Sequence, residues 1–131
     1  VTALLADACA LIVYHSPAGP GSMSEEGQEA LRGGSVQVAA VTVIEIQRKV
    51  SIGKLDMPMP YGTDLDYPTF LTSEGYALAP FDWQDGALAA SLPDHHRDPW
   101  DRVLIAIALR RNLRIITLDP VFRRYGVRTL W

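Results

Sequence analysis

The chain has 131 residues, 48% hydrophobic and 21% charged, with a formal net charge of −3. That length predicts one domain over residues 1–131, large enough for a sheet covered by helices on both faces. The mild negative charge argues against a generally cationic nucleic-acid coat. No apolar run approaches the ~18 residues of a membrane span, and no basic segment leads into an apolar stretch with a cleavage site, so a cytoplasmic protein without membrane contact is expected.

In chain order, Leu4 and Leu5 lead into Asp7 as a short apolar strand, and Ala8 to Tyr14 continue at helical spacing. Pro17, Gly19, Pro20 and Gly21 break that helix. Ser22 with Glu25 has the capping-box spacing that starts a second helix, ended by Gly33 and Gly34. Val36, Val38 and Val41 mark a second strand, and Thr42 with Glu45 repeats the capping-box spacing for a helix that runs to about Ile52 and stops at Gly53. Residues 57–62 form a loop with Pro58 and Pro60, Pro68 suits the first turn of a short helix, and Tyr76 to Ala79 form a third short strand. Asp82 and Asp85 open a helix through Leu92, and residues 93–97 form a polar loop. Asp98 then caps a helix with Pro99 at its first position. Val103 to Leu109 are apolar all round, which predicts a buried helix terminated by Arg110, Arg111 and Asn112. Leu113 to Leu118 form a strand ending at Asp119, Phe122 falls in a short turn or helix, and Val127 to Trp131 form a last edge strand. Strands and helices alternating in this way predict a three-layer α/β/α sandwich with a mostly parallel sheet.

The chemistry concentrates in four carboxylates at element boundaries: Asp7 and Asp119 closing apolar runs, Glu45 and Asp101 each expected in the first turn of a helix. Glu45 and Asp101 also read simply as helix-capping acids. Ligands of open α/β sheets bind beyond the carboxyl ends of the strands, so acids from four segments can meet there, and their mutual repulsion calls for a cation. Oxygen donors favour Mg²⁺ or Mn²⁺ over softer metals. Cys9, the sole cysteine, excludes an internal disulfide and a sulfur-rich zinc site, and is expected as a small buried side chain. A zinc site on the adjacent His95 and His96 would need consecutive residues pointing the same way; solvated loop polarity or substrate contact near Asp98 is the expectation for them. From Arg97 onward there are eight arginines and three acids, Asp98, Asp101 and Asp119. With its acids neutralised by metal, this third becomes a positive partner for phosphate.

The segments LLADACALI, TVIEIQRKVSIGKL, HRDPWDRVLIAIAL and IITLDPVFRRYGV, taken together and in order, resemble the PIN-domain ribonucleases, and among them the VapC-type toxins of toxin–antitoxin pairs. The resemblance covers most of the chain; residues 16–34 and 57–66 are its least typical parts. It implies a metal-dependent endoribonuclease in which Asp7, Glu45, Asp101 and Asp119 bind Mg²⁺ or Mn²⁺ and a water activated by the ion hydrolyses RNA, leaving 5′-phosphate and 3′-hydroxyl ends. Thr117 resembles the family's hydroxyl residue beside the last acid. Arg97 and Arg102, with Arg123 and Arg124, are the expected phosphate contacts; Trp100, at the helix start beside the site, could stack a base, although an aromatic there is more often core. The resemblance further implies a cognate antitoxin as partner, contact with DNA only through that antitoxin, and homodimerisation; apolar residues around Val50, Ile52 and Leu55 could contribute to it, although core packing explains them equally well.

Two other classes fit parts of the pattern. A receiver-like, Mg²⁺-binding signalling domain also places acids at strand ends, but it needs paired acids after the first strand and a late strand-end lysine, whereas Asp7 stands alone and the only lysines are Lys49 and Lys54. A non-catalytic interaction module would use the acids as helix caps only; RNA cleavage with metal and with chelator separates it from the enzyme.

Overall fold

The computed structural model describes residues 3–33 and 35–131. Gly34, expected to help end the second helix, lies outside the described residues. Five short strands, β1 (Leu4–Ala6), β2 (Val36–Ala39), β3 (Ala77–Ala79), β4 (Arg114–Ile116) and β5 (Thr129–Leu130), form one sheet in the order β3-β2-β1-β4-β5. All neighbours are parallel, with Leu5 opposite Gln37 on one side and Ile115 on the other.

Side chains alternate faces along each strand, and that alternation divides the interior in two. Ala6, Val36, Val38, Ile116 and Leu130 face one helical layer, whose core includes Leu11, Leu31, Ile46, Tyr67 and Phe70. That layer is built from α1 (Ala8–Tyr14), α2 (Glu25–Gly33), α3 (Ala40–Ser51) and α4 (Tyr67–Ser73). Leu5, Ala39, Ala79 and Ile115 face the other side, where α6 (Pro99–Arg111) lays Leu104, Ile105, Ile107 and Ala108 against the sheet. The short α5 (Trp83–Ser91) packs beside α6. The expected α/β/α sandwich is therefore the observed architecture, with a sheet that is parallel throughout. No helix among the described residues is long and apolar enough to cross a membrane.

Two helix starts differ from the sequence expectation. Helix α2 begins at Glu25 behind Ser24, whose hydroxyl accepts the Gly27 amide, so the cap is Ser24 and not Ser22. Helix α3 begins at Ala40, directly off β2, with Ala39 at the cap position and no side-chain cap. Thr42 is therefore inside the first turn, its buried hydroxyl without a hydrogen bond, and Glu45 sits in the second turn. Propensity for a Thr cap lost to tertiary packing: Ala39 is buried beneath α6, and the strand turns into the helix without an intervening residue. Where a cap is backed by a following proline the expectation holds, as at Asp98 before Pro99, and Asn112 ends α6 in the left-handed conformation at φ 53°.

With β1 at the centre, β2 and β4 lie on either side of it, so the chain leaves the sheet in two directions at the carboxyl ends of β1 and β4. A crevice opens at such a switch point.

Candidate active site

Asp7 follows β1 directly and caps α1, its Oδ1 accepting the Ala10 amide at 2.8 Å. Its own amide donates to the Ile116 carbonyl at 3.2 Å, which fixes Asp7 against the end of β4. On the β4 side, the buried Thr117 hydroxyl accepts the Asp119 amide at 3.0 Å and lies beside the Asp7 carboxyl, whose pKa it lowers. Asp119 in turn caps the 3₁₀ turn Pro120–Tyr125 through the Val121 amide at 2.9 Å. Asp101 projects from the first turn of α6, and Glu45 from α3, which packs on both α1 and α6.

The four acids line one open cleft of about 400 Å³, together with Ala8, Cys9, Leu118 and Pro120. Cys9, expected in the core, is half-buried on this wall, because α1 turns that side of its first turn toward the crevice. Burial pushes the Asp7 carboxyl up to about 6 against the hydrogen bonds from Thr117 and Ala10, with the charges of Glu45 and Asp119 adding to the rise. Asp101 is pushed up to about 7, first by burial and then by Asp98; Glu45 and Asp7 add, while His96 opposes. Among the described residues, Lys49, at 3.3 Å from Glu45, is the one amine paired with any of the four. Among the described residues, no ion pair joins an arginine to any of them. A carboxylate-rich pocket short of fixed positive charge fits a hard divalent cation, and its oxygen donors suit Mg²⁺ or Mn²⁺.

Carboxylate oxygens of Glu45, Asp98 and Asp101 lie within 4.8 Å of one another, and so do ligand atoms of His96, Asp101 and Asp119. Asp7 belongs to neither trio but shares the cleft. Asp98 therefore combines two roles, capping α6 through the Trp100 amide at 2.9 Å and adding a fifth carboxylate beside Glu45 and Asp101. The sequence expectation for His96 is loop polarity or substrate contact near Asp98. Instead its Nε2 stands 3.0 Å from Asp101 Oδ2 and 3.0 Å from Asp119 Oδ2. His95 turns away to pack edge-on against Tyr125, so the adjacent histidines diverge.

Arg102, an expected phosphate contact, is committed elsewhere. Its guanidinium donates to the carbonyls of Ala89, Leu92, Pro93 and His96, which makes it the clamp of the 92–96 loop. Arg97, Arg123 and Arg124 are exposed. Trp100 is 38% exposed at the start of α6 and not part of the core.

A family model for the PIN domain matches residues 5–128. The chain belongs to the PIN domain family. PIN domains are nucleases and generally use divalent metal. Among solved structures, VapBC2 of Rickettsia felis bound to a DNA fragment from its promoter is similar at 11% identity and a TM-score of 0.65, with 97% of this chain and 96% of that chain covered. FitAcB of Neisseria gonorrhoeae is similar at 18% identity and a TM-score of 0.58, covering 98% and 96%. FitAB bound to an IR36 DNA fragment is similar at 16% identity and a TM-score of 0.57, covering 97% and 93%. No curated protein matches the chain.

Proposed function

We propose that the cleft is the active site of a Mg²⁺- or Mn²⁺-dependent endoribonuclease, the toxin of a type II toxin–antitoxin pair. The observation that carries this reading is the cleft at the β1–β4 switch point, where Asp7, Glu45, Asp101 and Asp119 converge with one amine, Lys49, paired to them. Asp7, Asp101 and Asp119 would hold the ion, and Glu45 would complete its shell or position the attacking water. A bound ion there would neutralise the non-bridging phosphate oxygens and lower the pKa of a water nucleophile. The protein's own part is positioning. Thr117 would hold Asp119 through its hydroxyl, which accepts the Asp119 amide and lies beside Asp7. Exposed Arg97, beside the first turn of α6, and Arg123 and Arg124, in the turn after Asp119, would draw the phosphate backbone toward the acids. In-line attack of water on phosphorus breaks the bond to the 3′ oxygen, leaving 5′-phosphate and 3′-hydroxyl ends. The RNA 2′-hydroxyl takes no part. Single-stranded or looped RNA suits an open cleft better than a duplex, because its bases are already unstacked.

The similarity to VapBC2 and FitAB supports a protein antitoxin as partner, with DNA approached only through it. A homodimer is part of this reading, with the 46% exposed Ile52 and half-buried Val50 and Leu55 at the end of α3 available to it.

The test is incubation of the purified chain with a panel of structured and unstructured RNAs and single-stranded DNA, with Mg²⁺, with Mn²⁺ and with chelator. Cleavage of RNA that needs the ion and disappears in Asp101→Asn is the expected result. Absence of any cleavage across the panel, or full activity in Asp101→Asn, overturns the assignment.

A further inference from the structure

His96 places one ring nitrogen 3.0 Å from carboxylate oxygens of two of the proposed metal-binding acids, and the surroundings of its ring dictate what it can do there. Nδ1 accepts the Asp98 amide at 3.2 Å. A ring nitrogen that accepts carries no proton, so the proton of the neutral imidazole resides on Nε2. That N–H donates to Asp119 Oδ2 at 3.0 Å, and Asp101 Oδ2 stands 3.0 Å from the same nitrogen. Asp101 belongs to α6 and Asp119 to the turn after β4, and His96 joins them from a third segment, the 92–98 loop.

The ring has little freedom to leave. Its backbone amide donates to the Tyr125 hydroxyl at 2.7 Å, and that hydroxyl donates to the Pro93 carbonyl at 2.6 Å. Arg102 holds the His96 carbonyl at 3.2 Å, and the imidazole lies against the Phe122 ring at 5.9 Å between centroids. Direct ligation of a metal by Nε2 would require moving the proton to Nδ1, where it would point at the Asp98 N–H. The backbone thus keeps His96 out of the ligand set and makes it a donor.

We propose that His96 is a positioning residue for the metal centre, a bridge whose Nε2–H donates to the outer oxygen of Asp119 while that of Asp101 rests against the same nitrogen, so that their remaining oxygens would be presented to the ion. This rests on the metal-dependent reading above. Hydrogen-bonded partners of metal ligands typically change metal affinity 10–100-fold when removed.

The experiment is a titration with Mn²⁺ alone, followed by the loss of the free-ion electron paramagnetic resonance signal, on the wild-type chain and on His96→Ala, His96→Gln and Asp101→Asn. His96→Ala is expected to weaken binding by about 10–100-fold, and His96→Gln, whose amide N–H reaches to about the place of Nε2, to recover most of the loss. Should His96→Ala fail to fold, His96→Gln and His96→Leu with melting curves in chelator supply the same contrast. Unchanged or tighter Mn²⁺ binding in the variant without a donor overturns the bridge while leaving the metal site standing. A wild-type chain that binds no Mn²⁺, or binds it no better than Asp101→Asn, overturns the metal reading itself and the bridge with it.

Discussion

The two ends of helix α6 handle buried acid in opposite ways. At its C-terminal end, Arg110 and Arg111 each place a guanidinium nitrogen 2.7 Å from Oδ1 of the fully buried Asp85, and Arg110 also reaches Asp82 at 2.8 Å. Asp82 and Asp85 complete a reciprocal capping box at the start of α5. Burial alone would raise the Asp85 pKa, but the hydrogen bonds from Arg111, the Asp82 backbone and Arg110 more than offset it and hold the carboxyl well below the usual range. At the N-terminal end, Asp101 is pushed up to about 7 by burial and then by Asp98, with Glu45 and Asp7 adding and His96 opposing, and it pairs with no arginine among the described residues. One end is a closed ion network that serves the fold. The other is left short of positive charge, which is the condition under which a site takes up a cation from solution.

The largest effect should come from removing charge at the open end. Asp101→Asn or Asp7→Asn is expected to lower RNA cleavage by on the order of a thousand-fold or more. In chelator, the same variants should melt at or above the wild-type temperature, because a repelled, desolvated carboxylate is gone. A variant that both loses activity and melts far below wild type would make these acids structural instead.

Asp85→Ala tests the closed end and should behave in reverse. Removing the acid takes the shared partner from Arg110 and Arg111 and one half of the capping box from α5, a loss of about 1–3 kcal/mol by urea denaturation, with cleavage per folded molecule intact. If Asp85→Ala were neutral to stability, the contrast between the two ends would disappear.

The pH response of the metal-free chain follows from the open end. Asp7 and Asp101 have folded-state pKa values raised from 3.8 to about 6 and about 7, so the folded state binds more protons than the unfolded one between these values. Stability is then complete below pH 4 as far as these groups are concerned, and it is lost as pH rises through 6 and 7. For Asp7 alone the loss by pH 7 is of order 3 kcal/mol. Melting in chelator across pH 4–8 should show that decline, and saturating Mn²⁺ should flatten it. A metal-free chain that became steadily more stable toward pH 7 would contradict the arrangement.

Much of this was legible from spacing, and the parts that were not share a cause. Apolar periodicity placed the strands and the buried helix α6, since core-facing alternation and an all-apolar run are local properties. Asp98 before Pro99 and the Asp82–Asp85 pair announced helix starts because capping is also local. Thr42 misled, because the true start of α3 is decided by where Ala39 packs under α6, and the spacing that suggested a cap is simply interior to the helix. Arg102 beside Asp101 looked like a phosphate contact until the loop carbonyls of Leu92, Pro93 and His96 took its donors. His96 gave no signal beyond lying two residues before a cap. Its position depends on Tyr125 and Phe122, about thirty residues away in the chain, folding over the loop.

The smallest effect concerns the arginines. Arg110 and Arg111 are locked to acids and Arg102 to carbonyls, so none has a full guanidinium to offer a phosphate. Arg97 is exposed, forms no ion pair among the described residues, and directly precedes Asp98 in the chain. Arg97→Ala should weaken RNA binding only a few-fold, yet it should reduce the slope of log affinity against log salt by about 0.7, the share of one contact to a single strand. Arg102→Ala should leave that slope unchanged and lower the melting temperature instead, because what it removes is a loop clamp. Measuring both slopes on the cleavage-dead Asp101→Asn background isolates binding from chemistry. Equal slopes for wild type and Arg97→Ala would move substrate recruitment to Arg123 and Arg124, on the far side of Asp119.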